Sequence, residues 1–226
     1  MRVGVLFSGG KDSSLALWKA KEFHEVVCLI TLVSESPESY MFHVPNIELT
    51  SMQAEAIGLP LLQRRTKGEK EKELDDLMKI LRSAKKKFRI EGVVTGAIKS
   101  IYQASRIQRI CHDLDLCCYS PLWLKDQIEL LNELVENNFK VIISGVFAYP
   151  LDRTFLGKLI DDEMIKRLQE LMERYGLNPA GEGGELETTV LDAPFFKERI
   201  EILDYEVSYR DNSGIFRIKN ARLVEK

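Results

Sequence analysis

The fold is decided by the apolar run Val3–Phe7 and the turn that follows it, Ser8-Gly9-Gly10-Lys11-Asp12-Ser13. A buried strand, a glycine-rich turn and a helix in this order can bind a phosphate. Glycine lets backbone N–H groups approach the anion, and the helix N-terminus adds a partial positive charge. Lys11 can neutralise a phosphate, and Asp12 can hold the Mg²⁺ that accompanies a polyphosphate. The stretch therefore predicts a phosphate-binding loop at the carboxyl end of a first buried strand.

The composition excludes several classes of protein. With 226 residues, of which 45% are hydrophobic and 30% charged, the chain is typical of a globular protein with one domain and a lobe, or two small domains. A net charge of −3 provides no general basic field, so we expect no direct nucleic-acid partner. No apolar run approaches the length of a membrane span, and Val3–Phe7 runs into the turn rather than into a signal-peptide cleavage site. We expect a cytoplasmic protein without membrane contact.

The cysteine and histidine patterns contain no metal or redox motif. The four cysteines form no C-x-x-C and the three histidines form no H-E-x-x-H, so a zinc site has little support. The adjacent Cys117 and Cys118 are typical of small apolar groups packed in a strand, and a redox pair is the alternative. Their role stays open.

Up to about residue 148 the chain alternates between apolar runs and segments of helical periodicity. Strands are predicted at Val3–Phe7, Val26–Val33, Leu61-Leu62, Val93–Thr95, Leu116–Tyr119 and Lys140–Phe147. Helices are predicted between them, at Ser13–Glu22, Ile47–Gly58, Leu74–Phe88, Gln103–Leu114 and Gln127–Asn137. This alternation predicts a parallel sheet covered on both faces, with ligands bound beyond the carboxyl ends of its strands.

The pattern changes after residue 148, where we expect a second lobe. A loop-like segment is followed by a helix over Glu163–Tyr175 and by a glycine-rich connection, Gly176–Gly184. Alternating residues around Asp211-Asn212-Ser213-Gly214 predict a terminal hairpin. The predicted fold class is therefore α/β, with a parallel-sheet, Rossmann-like nucleotide-binding domain over residues 1–148 and a smaller α+β lobe over residues 149–226.

Two further segments place polar side chains at predicted helix starts. Gly96-Ala97 follows the fourth strand and permits close approach of a nucleotide; the hydrogen-bonding side chains that follow it are Ser100, Tyr102, Gln103 and Arg106. The alternative is an ordinary capped helix. In the second segment, which ends at Gln127, Trp123 can cap the core and Asp126 can be a helix N-cap, so structural and functional interpretations are equally open.

A third segment places three carboxylates among three glycines, Gly181-Glu182-Gly183-Gly184-Glu185-Leu186-Glu187-Thr188-Thr189. Clustered carboxylates can bind cations or orient a nucleophile, and glycines allow the backbone geometry that brings them together. A flexible acidic loop is the alternative. Because so many glycines would only add disorder to a plain linker, the segment predicts a binding loop.

The order of these motifs resembles that of a known family. Ser8–Ser13 is similar to the SGGxDS loop, or PP-loop, of N-type ATP pyrophosphatases, which cleave ATP to AMP and pyrophosphate; it matches neither G-x-x-x-x-G-K-[ST] nor G-x-G-x-x-G. The later motifs resemble those of the archaeal, single-module diphthine–ammonia ligases and cover nearly the whole chain. They are Y-M-F-H (Tyr40–His43), G-A-I-x-S-x-Y-Q-x-x-R (Gly96–Arg106), P-L-W-x-x-D-Q-x-E-L-L (Pro121–Leu131), L-G-K (Leu156–Lys158), G-E-G-G-E-x-E-T (Gly181–Thr188) and L-D-x-P (Leu191–Pro194).

This resemblance implies a HUP-type fold and an ATP-dependent amidation, with ATP and Mg²⁺ as cofactors. The substrate would be diphthine, the modified histidine of translation elongation factor 2, and ammonia would come from solution. The diphthine carboxylate would attack the α-phosphorus of ATP to give an acyl-adenylate and pyrophosphate, and ammonia would then displace AMP. The protein would act mainly by positioning the groups and by stabilising charge on the phosphates.

The resemblance also implies roles for individual residues. Catalysis is assigned to Lys11, Asp12, Glu182 and Glu185, and the Mg²⁺ contact to Asp12. ATP binding is assigned to Ser8, Gly9, Gly10, Lys11, Asp12, Ser13, Tyr40, Met41, Phe42, His43, Gly96 and Ala97. Acceptor binding is assigned to Ser100, Tyr102, Gln103, Arg106, Trp123, Asp126, Gln127, Gly183, Gly184 and Glu187. The ring of Tyr102, Trp123 or Tyr149 would face the trimethylammonium group of diphthine.

Two other functions fit the same loop. A PP-loop enzyme that modifies a tRNA base would be expected to carry a basic face and, for thiolation, catalytic cysteines; the net charge and the absence of C-x-x-C argue against it. A non-catalytic ATP sensor would bind ATP without releasing pyrophosphate. We also expect a homodimer, formed through exposed apolar residues near the terminal hairpin.

Overall fold

The computed structural model describes residues 1–34, 45–67 and 72–226. It contains a five-stranded parallel sheet and a four-stranded antiparallel sheet, with helices packed around them. Among the helices in these ranges, none is long and apolar enough to cross a membrane.

The parallel sheet has the strand order β3-β2-β1-β4-β5. Its strands are β1 (Arg2–Leu6), β2 (Glu25–Ser34), β3 (Leu61–Thr66), β4 (Gly92–Val94) and β5 (Cys117–Tyr119). Every pairing is parallel, as expected for strands joined by helical crossovers. The chain builds outward from β1 on one side and then returns to build β4 and β5 on the other. The connections that follow β1 and β4 therefore diverge, which opens a crevice at the carboxyl ends of these two strands.

Helices cover both faces of this sheet. They are α1 (Lys11–Phe23), α2 (Thr50–Ile57) with a preceding 3-10 turn (Ile47–Leu49), α3 (Lys72–Phe88), α4 (Ile101–Asp113) and α5 (Gln127–Glu136). On one face, Leu81 of α3 and Ile110 of α4 pack with Val93 of β4. On the other face, Leu15 of α1 and Leu130 of α5 belong to a core that continues into the second sheet.

The antiparallel sheet has the strand order β7-β6-β9-β8. Its strands are β6 (Lys140–Val146), β7 (Leu186–Asp192), β8 (Arg199–Arg210) and β9 (Ser213–Val224). A 3-10 turn (Arg153–Phe155) and helix α6 (Asp162–Tyr175) connect β6 to β7. Strands β8 and β9 form the predicted hairpin. Asp211 and Asn212 at its turn have φ angles of 51° and 60°, the left-handed conformation that a tight hairpin turn of the right twist requires.

Two strand predictions are wrong. Lys140–Phe147 was expected to extend the parallel sheet, whereas β6 pairs with β7 and β9 in the antiparallel one. Strand β6 is buried along nearly its whole length, and a fully buried apolar run does not identify its neighbours. The sequence also predicts a binding loop over Gly181–Thr189, whereas Leu186–Asp192 forms β7. The second sheet thus begins before residue 148, and the division of the chain at residues 148 and 149 stays a prediction.

The predicted fold class is confirmed. A Rossmann-like parallel sheet is joined to a smaller lobe that contains α6 and the antiparallel sheet. The turns after β1 and after β4 lie at the same edge of the parallel sheet, because both follow the carboxyl ends of parallel strands. The shared core brings β7 of the second sheet against the start of α1.

Candidate active site

A cleft of about 450 Å³ lies at the carboxyl ends of the parallel strands. One wall consists of the phosphate-binding turn after β1 and the turn after β4. The opposite wall consists of β7 and the glycine-rich segment that precedes it. Its lining includes Ser8, Lys11, Asp12, Ser13, Gly96, Ala97, Ser100, Gln103, Gly181, Glu182, Gly183, Gly184 and Glu187. The two sheets therefore enclose one site, and the two motifs that were expected to carry the chemistry face each other across it.

Hydrogen bonds among its own residues shape the phosphate-binding turn. The Ser8 backbone N–H donates to Ser13 Oγ at 3.2 Å, and the two serine hydroxyls lie 3.2 Å apart. Ser13 Oγ also lies 3.1 Å from the Gly10 carbonyl oxygen, to which it donates. Gly9 has a φ of +78°, which favours glycine. Helix α1 begins directly after Gly10 without a side-chain cap, so the positive end of the helix is open to an anion.

Lys11 is the charged group at the centre of this turn. Its side chain is only 3% exposed. The ammonium donates to Asp12 Oδ2 at 2.8 Å and to the Ala180 carbonyl oxygen. The other carboxylate oxygen, Asp12 Oδ1, is buried and has no hydrogen-bond partner among the described residues. A buried acceptor without a partner is costly, so Asp12 Oδ1 is a position at which a bound cation would restore a lost interaction.

Gly96 brings the turn after β4 into contact with the phosphate-binding turn. A Cβ atom at this position would lie 2.8 Å from the Asp12 carbonyl carbon and 2.8 Å from the Ser13 backbone nitrogen. Farther along the turn, Ser100 Oγ accepts the Gln103 backbone N–H at 3.3 Å and caps helix α4. The apolar part of the cleft nearby includes Leu6, Ile30, Leu32, Pro45, Ile47 and Ile107. An apolar wall next to exposed backbone groups suits a flat heterocycle such as a nucleotide base.

The three carboxylates of the acidic segment have different environments. Glu185 accepts hydrogen bonds from Asn178 and Gly183 and thereby holds the turn closed, and it does not line the cleft. Glu182 Oε2 accepts the Lys99 backbone N–H at 2.9 Å, which ties the segment to the turn after β4. Glu187 lines the cleft, and its side-chain carboxyl group receives no hydrogen bond from any described residue.

Burial and neighbouring charges raise the pKa values of two of these carboxyl groups. Burial raises the pKa of Glu187 to about 7; Lys11 opposes the increase, and the negative charges of Asp12 and Glu182 add to it. Burial is also the main reason why the pKa of Glu182 is raised, and Asp12 contributes to the shift. Part of the Glu187 side chain still faces the cleft. A carboxyl group of this kind can exchange a proton with a ligand near neutral pH.

Two side chains to which the sequence assigned no role fasten the phosphate-binding turn to the second sheet. Thr188 of β7 accepts the Lys11 backbone N–H at 3.1 Å through Oγ1. Gln53 of α2 donates to the Gly9 carbonyl at 2.9 Å and to the Val190 carbonyl at 2.8 Å. No local pattern could have identified either contact, because each joins residues at least 44 positions apart in the chain.

Two family models match the chain. The Diphthamide synthase N-terminal domain matches residues 1–117, and the Diphthamide synthase C-terminal domain matches residues 126–224. The chain belongs to the diphthamide synthase family. These matches confirm the family resemblance that was inferred from the sequence motifs.

Several relatives of this diphthamide synthase family member are named diphthine–ammonia ligase. The Mus musculus protein is 38% identical, in an alignment that covers 89% of this chain and 83% of the mouse protein. The Homo sapiens protein is 34% identical, with 100% of this chain and 91% of the human protein covered. The Saccharomyces cerevisiae protein is 33% identical; all of this chain matches 37% of the yeast protein. The family is therefore one of ligases.

One solved structure is also similar, that of a predicted subunit of tRNA methyltransferase from Methanocaldococcus jannaschii. It is 19% identical and has a TM-score of 0.43, with 86% of this chain and 98% of that chain covered. At this TM-score the match supports no conclusion about fold or function.

Some residues assigned to the site from the sequence do not line the cleft of this family member. Asp126 Oδ1 accepts the backbone N–H groups of Ile128 and Glu129 at 2.9 and 3.0 Å and caps helix α5. Gln127 donates to Asn178 Oδ1 and accepts the Ala180 backbone N–H, so it supports the segment that precedes Gly181. Both side chains are consistent with structural roles.

The aromatic side chains assigned to the acceptor also lie outside the cleft lining. The Arg106 guanidinium stacks 3.5 Å from the centre of the Tyr102 ring, so one face of that ring already contacts a cation. Tyr149 packs edge-to-face on Tyr175, with 66% of its surface exposed, and Trp123 is 39% exposed. The segment Tyr40–His43, which was assigned to adenosine binding, lies outside the described residues.

Proposed function

We propose that the chain catalyses the ATP-dependent amidation of diphthine on elongation factor 2 by ammonia, with release of AMP and pyrophosphate. One observation carries the proposal: the phosphate-binding turn with Lys11 and Asp12 faces Glu182 and Glu187 across a single cleft. An adenylating amidation needs these two environments side by side, one for a polyphosphate and one for ammonium, which must give up a proton before its nitrogen can attack. Family membership supports the choice of acceptor, since the relatives are named for diphthine and ammonia.

The β- and γ-phosphates of ATP are placed on Ser8–Ser13, where the open end of α1 and the serine hydroxyls provide donors. The adenosine is placed beside Gly96 and Ala97, against the apolar wall that contains Ile30 and Ile107. Tyr40, Met41, Phe42 and His43 are proposed to complete the adenosine site. With the nucleotide in this orientation, the α-phosphorus lies between the phosphate-binding turn and the acidic segment.

A Mg²⁺ ion fits one position in this arrangement. The described residues contain no group of three or more His, Cys, Asp or Glu side chains that could hold a metal ion by themselves. Asp12 Oδ1 is a buried acceptor without a partner, so Asp12 would hold the ion together with phosphate oxygens and water. When bound, Mg²⁺ would offset the charge that accumulates on the departing pyrophosphate.

The proposed reaction activates a carboxylate. A diphthine carboxylate oxygen bonds to the α-phosphorus, and the bond to the bridging oxygen of pyrophosphate breaks. Lys11 and the N-terminus of α1 stabilise the negative charge on the leaving group. The nitrogen of ammonia then bonds to the acyl carbon, and AMP leaves with the carboxylate oxygen. Because its pKa is about 7, Glu187 can take the proton that the nitrogen gives up, and Glu182 stands beside it.

The other residues assigned from the sequence fall into two groups: those that are proposed to contact the acceptor and one that is proposed to hold the site in shape. Ser100, Gln103, Gly183 and Gly184 line the cleft and are proposed to contact the acceptor. Glu185, which was assigned to catalysis, is proposed to act by holding the acidic turn in place. Trp123 and Tyr149 retain exposed rings and are the better candidates for the trimethylammonium group.

The acceptor is a translation factor, so we place the reaction in the cytoplasm. We also propose a homodimer, because Leu203 and Tyr205 on the edge strand β8 are 49% and 57% exposed. Light scattering of the purified protein tests the dimer: a single species with the mass of one chain contradicts it.

A pyrophosphate-release assay with ammonium tests the proposed function. We expect release only when the diphthine form of the elongation factor is present, and AMP in equal amount. Lys11→Met should abolish turnover, whereas Lys21→Met, an exposed lysine at the other end of the same helix, should leave it unchanged. Pyrophosphate release with a tRNA acceptor, or ATP binding without turnover under every condition, would exclude the proposed ligase activity.

A further inference from the structure

The Gly9 carbonyl oxygen accepts two hydrogen bonds from outside the phosphate-binding turn. The Val190 backbone N–H lies 3.0 Å from it and Gln53 Nε2 lies 2.9 Å from it. Gln53 Nε2 also donates to the Val190 carbonyl at 2.8 Å, so one amide group joins the turn to strand β7. Gln53 is completely buried in helix α2. The Gln53 amide lies between two backbone carbonyl oxygens, which only accept hydrogen bonds, so its nitrogen and not its oxygen must point toward them.

This anchoring fixes the direction of the next backbone N–H. A trans peptide unit is planar, and its C=O and N–H groups point in opposite directions. Holding the Gly9 carbonyl toward Gln53 and β7 therefore directs the Gly10 N–H to the other side, where Ser8 Oγ accepts it at a long 3.4 Å. Ser8 lines the cleft. A hydrogen bond of this length is readily replaced by a shorter one to a phosphate oxygen.

Gln53 also restricts which residue can occupy position 9. A Cβ atom on Gly9 would lie only 2.1 Å from Gln53 Oε1, which is buried and has no hydrogen-bond partner among the described residues. Glycine is thus favoured at this position both by its φ of +78° and by the volume that Gln53 occupies. Leaving a buried carbonyl oxygen without a partner costs free energy, and such costs persist at sites where a fixed geometry has a function.

We propose that Gln53 is the positioning residue of the phosphate-binding turn. It holds the Gly9–Gly10 peptide so that the Gly10 N–H faces the leaving pyrophosphate, and it couples this orientation to the strand that carries Glu187. The inference rests on the proposed function, in which the β- and γ-phosphates bind at this turn. Gln53 touches neither the nucleotide nor the acceptor.

Binding measurements with ATP, pyrophosphate and AMP, all with Mg²⁺, test the proposal. Gln53→Met keeps the volume of the side chain and removes both donors. It should weaken binding of ATP and pyrophosphate by about 10- to 100-fold, the size expected for one misdirected hydrogen bond to a charged group, and should leave AMP affinity within about twofold. Gln63→Met is the matched control, because Gln63 bonds to Thr50 at the start of the same helix and not to the turn. This variant should bind all three ligands as the unmodified protein does.

Two results would overturn the proposal: unchanged pyrophosphate affinity in Gln53→Met, or an equal loss for AMP and ATP, which would indicate a general structural role. If the unmodified protein binds no pyrophosphate, the proposed function fails instead. Should Gln53→Met not fold, the amide resonance of Gly10 in the unmodified protein decides the matter. Saturating pyrophosphate must shift it; an unmoved Gly10 resonance in the saturated protein would refute the orientation on which the proposal depends.

Discussion

Lys11 donates its backbone N–H to the hydroxyl oxygen of Thr188 at 3.1 Å, although the two residues are 177 positions apart. Lys11 is the first residue of helix α1, which follows the first parallel strand, and Thr188 lies in strand β7 of the antiparallel sheet. The bond, which is buried, joins the phosphate-binding turn directly to the strand that carries Glu187. The site is therefore a product of both sheets, and its geometry depends on contacts between them.

Thr188→Val should lower the stability of the protein. The substitution keeps the shape of the side chain but leaves the Lys11 N–H buried without an acceptor, which costs about 1–3 kcal/mol. Thr188→Ser retains the hydroxyl and should recover most of the loss. Urea unfolding of the three proteins without ligand measures the difference. Equal stability of the valine variant and the unmodified protein would show that the bond is not formed in solution.

Glu187→Gln should increase stability above neutral pH and not in acid. Burial raises the folded-state pKa of Glu187 to about 7, above its value in the unfolded chain. The stabilising effect of its neutral form is therefore fully present below the unfolded-state pKa and is lost as pH rises through about 7. The variant should gain about 3 kcal/mol over the unmodified protein at pH 8 and about nothing at pH 4. Thermal melts between pH 4 and 8 measure this.

Glu206→Gln is the control with the opposite sign. The hydrogen bond and charge of Lys219 lower the pKa of Glu206, whose carboxylate lies 2.6 Å from the ammonium on the exposed face of the hairpin. The small contribution of this ion pair to stability is present above the unfolded-state pKa of Glu206 and is lost as pH falls through the lower folded-state pKa. Any loss of stability in Glu206→Gln should therefore appear at high pH.

For Glu187→Gln, a gain in stability that does not depend on pH would contradict the assigned pKa of Glu187.

Gly96→Ala should weaken nucleotide binding as well as stability. The added Cβ would lie 2.8 Å from backbone atoms of Asp12 and Ser13, and neither can move without displacing the start of α1. We expect a loss of about 1–3 kcal/mol in stability together with a clear loss of ATP affinity. Gly176→Ala is the matched control: Gly176 has a φ of +69° but no atom near its Cβ position. Gly176→Ala should lose about 1 kcal/mol of stability and should bind ATP as the unmodified protein does.

Asp126→Ala should separate the two roles that the sequence left open for this residue. Loss of the cap on α5 costs about 1 kcal/mol, and Asp126→Asn should retain the cap. The kcat and KM of folded enzyme should be the same in both variants. A raised KM for the protein acceptor in Asp126→Asn would instead indicate that Asp126 contacts the acceptor.

The sequence predicted those parts of the site that are local. A strand, a glycine-rich turn and a helix specify the phosphate-binding turn within a few neighbouring residues, and the acidic segment was recognisable from its glycines and carboxylates. The same segment could not reveal that Glu185 is used to hold its own turn while Glu187 faces the cleft. That difference arises because Glu185 lies in the turn before β7, within reach of the amide groups of Asn178 and Gly183, whereas Glu187 lies in β7 itself.

Contacts between distant segments could not be predicted from one sequence. Gln53 lies in an unremarkable part of α2, and its two acceptors lie 44 and 137 residues away. Strand β6 was assigned to the wrong sheet for a related reason, since its apolar residues would be buried in either sheet. In both cases the missing information is the identity of the neighbours, which local periodicity does not encode.

The central claim is that the acceptor carboxylate attacks the α-phosphorus of ATP, and oxygen transfer tests it most directly. Elongation factor in its diphthine form, with its carboxylate enriched in ¹⁸O, is incubated with ATP, Mg²⁺ and ammonium, and the nucleotide products are analysed by mass spectrometry. We predict AMP that carries one ¹⁸O atom from the acceptor, together with unlabelled pyrophosphate and an amidated acceptor. AMP without label, or ADP and orthophosphate as the products, would contradict the account.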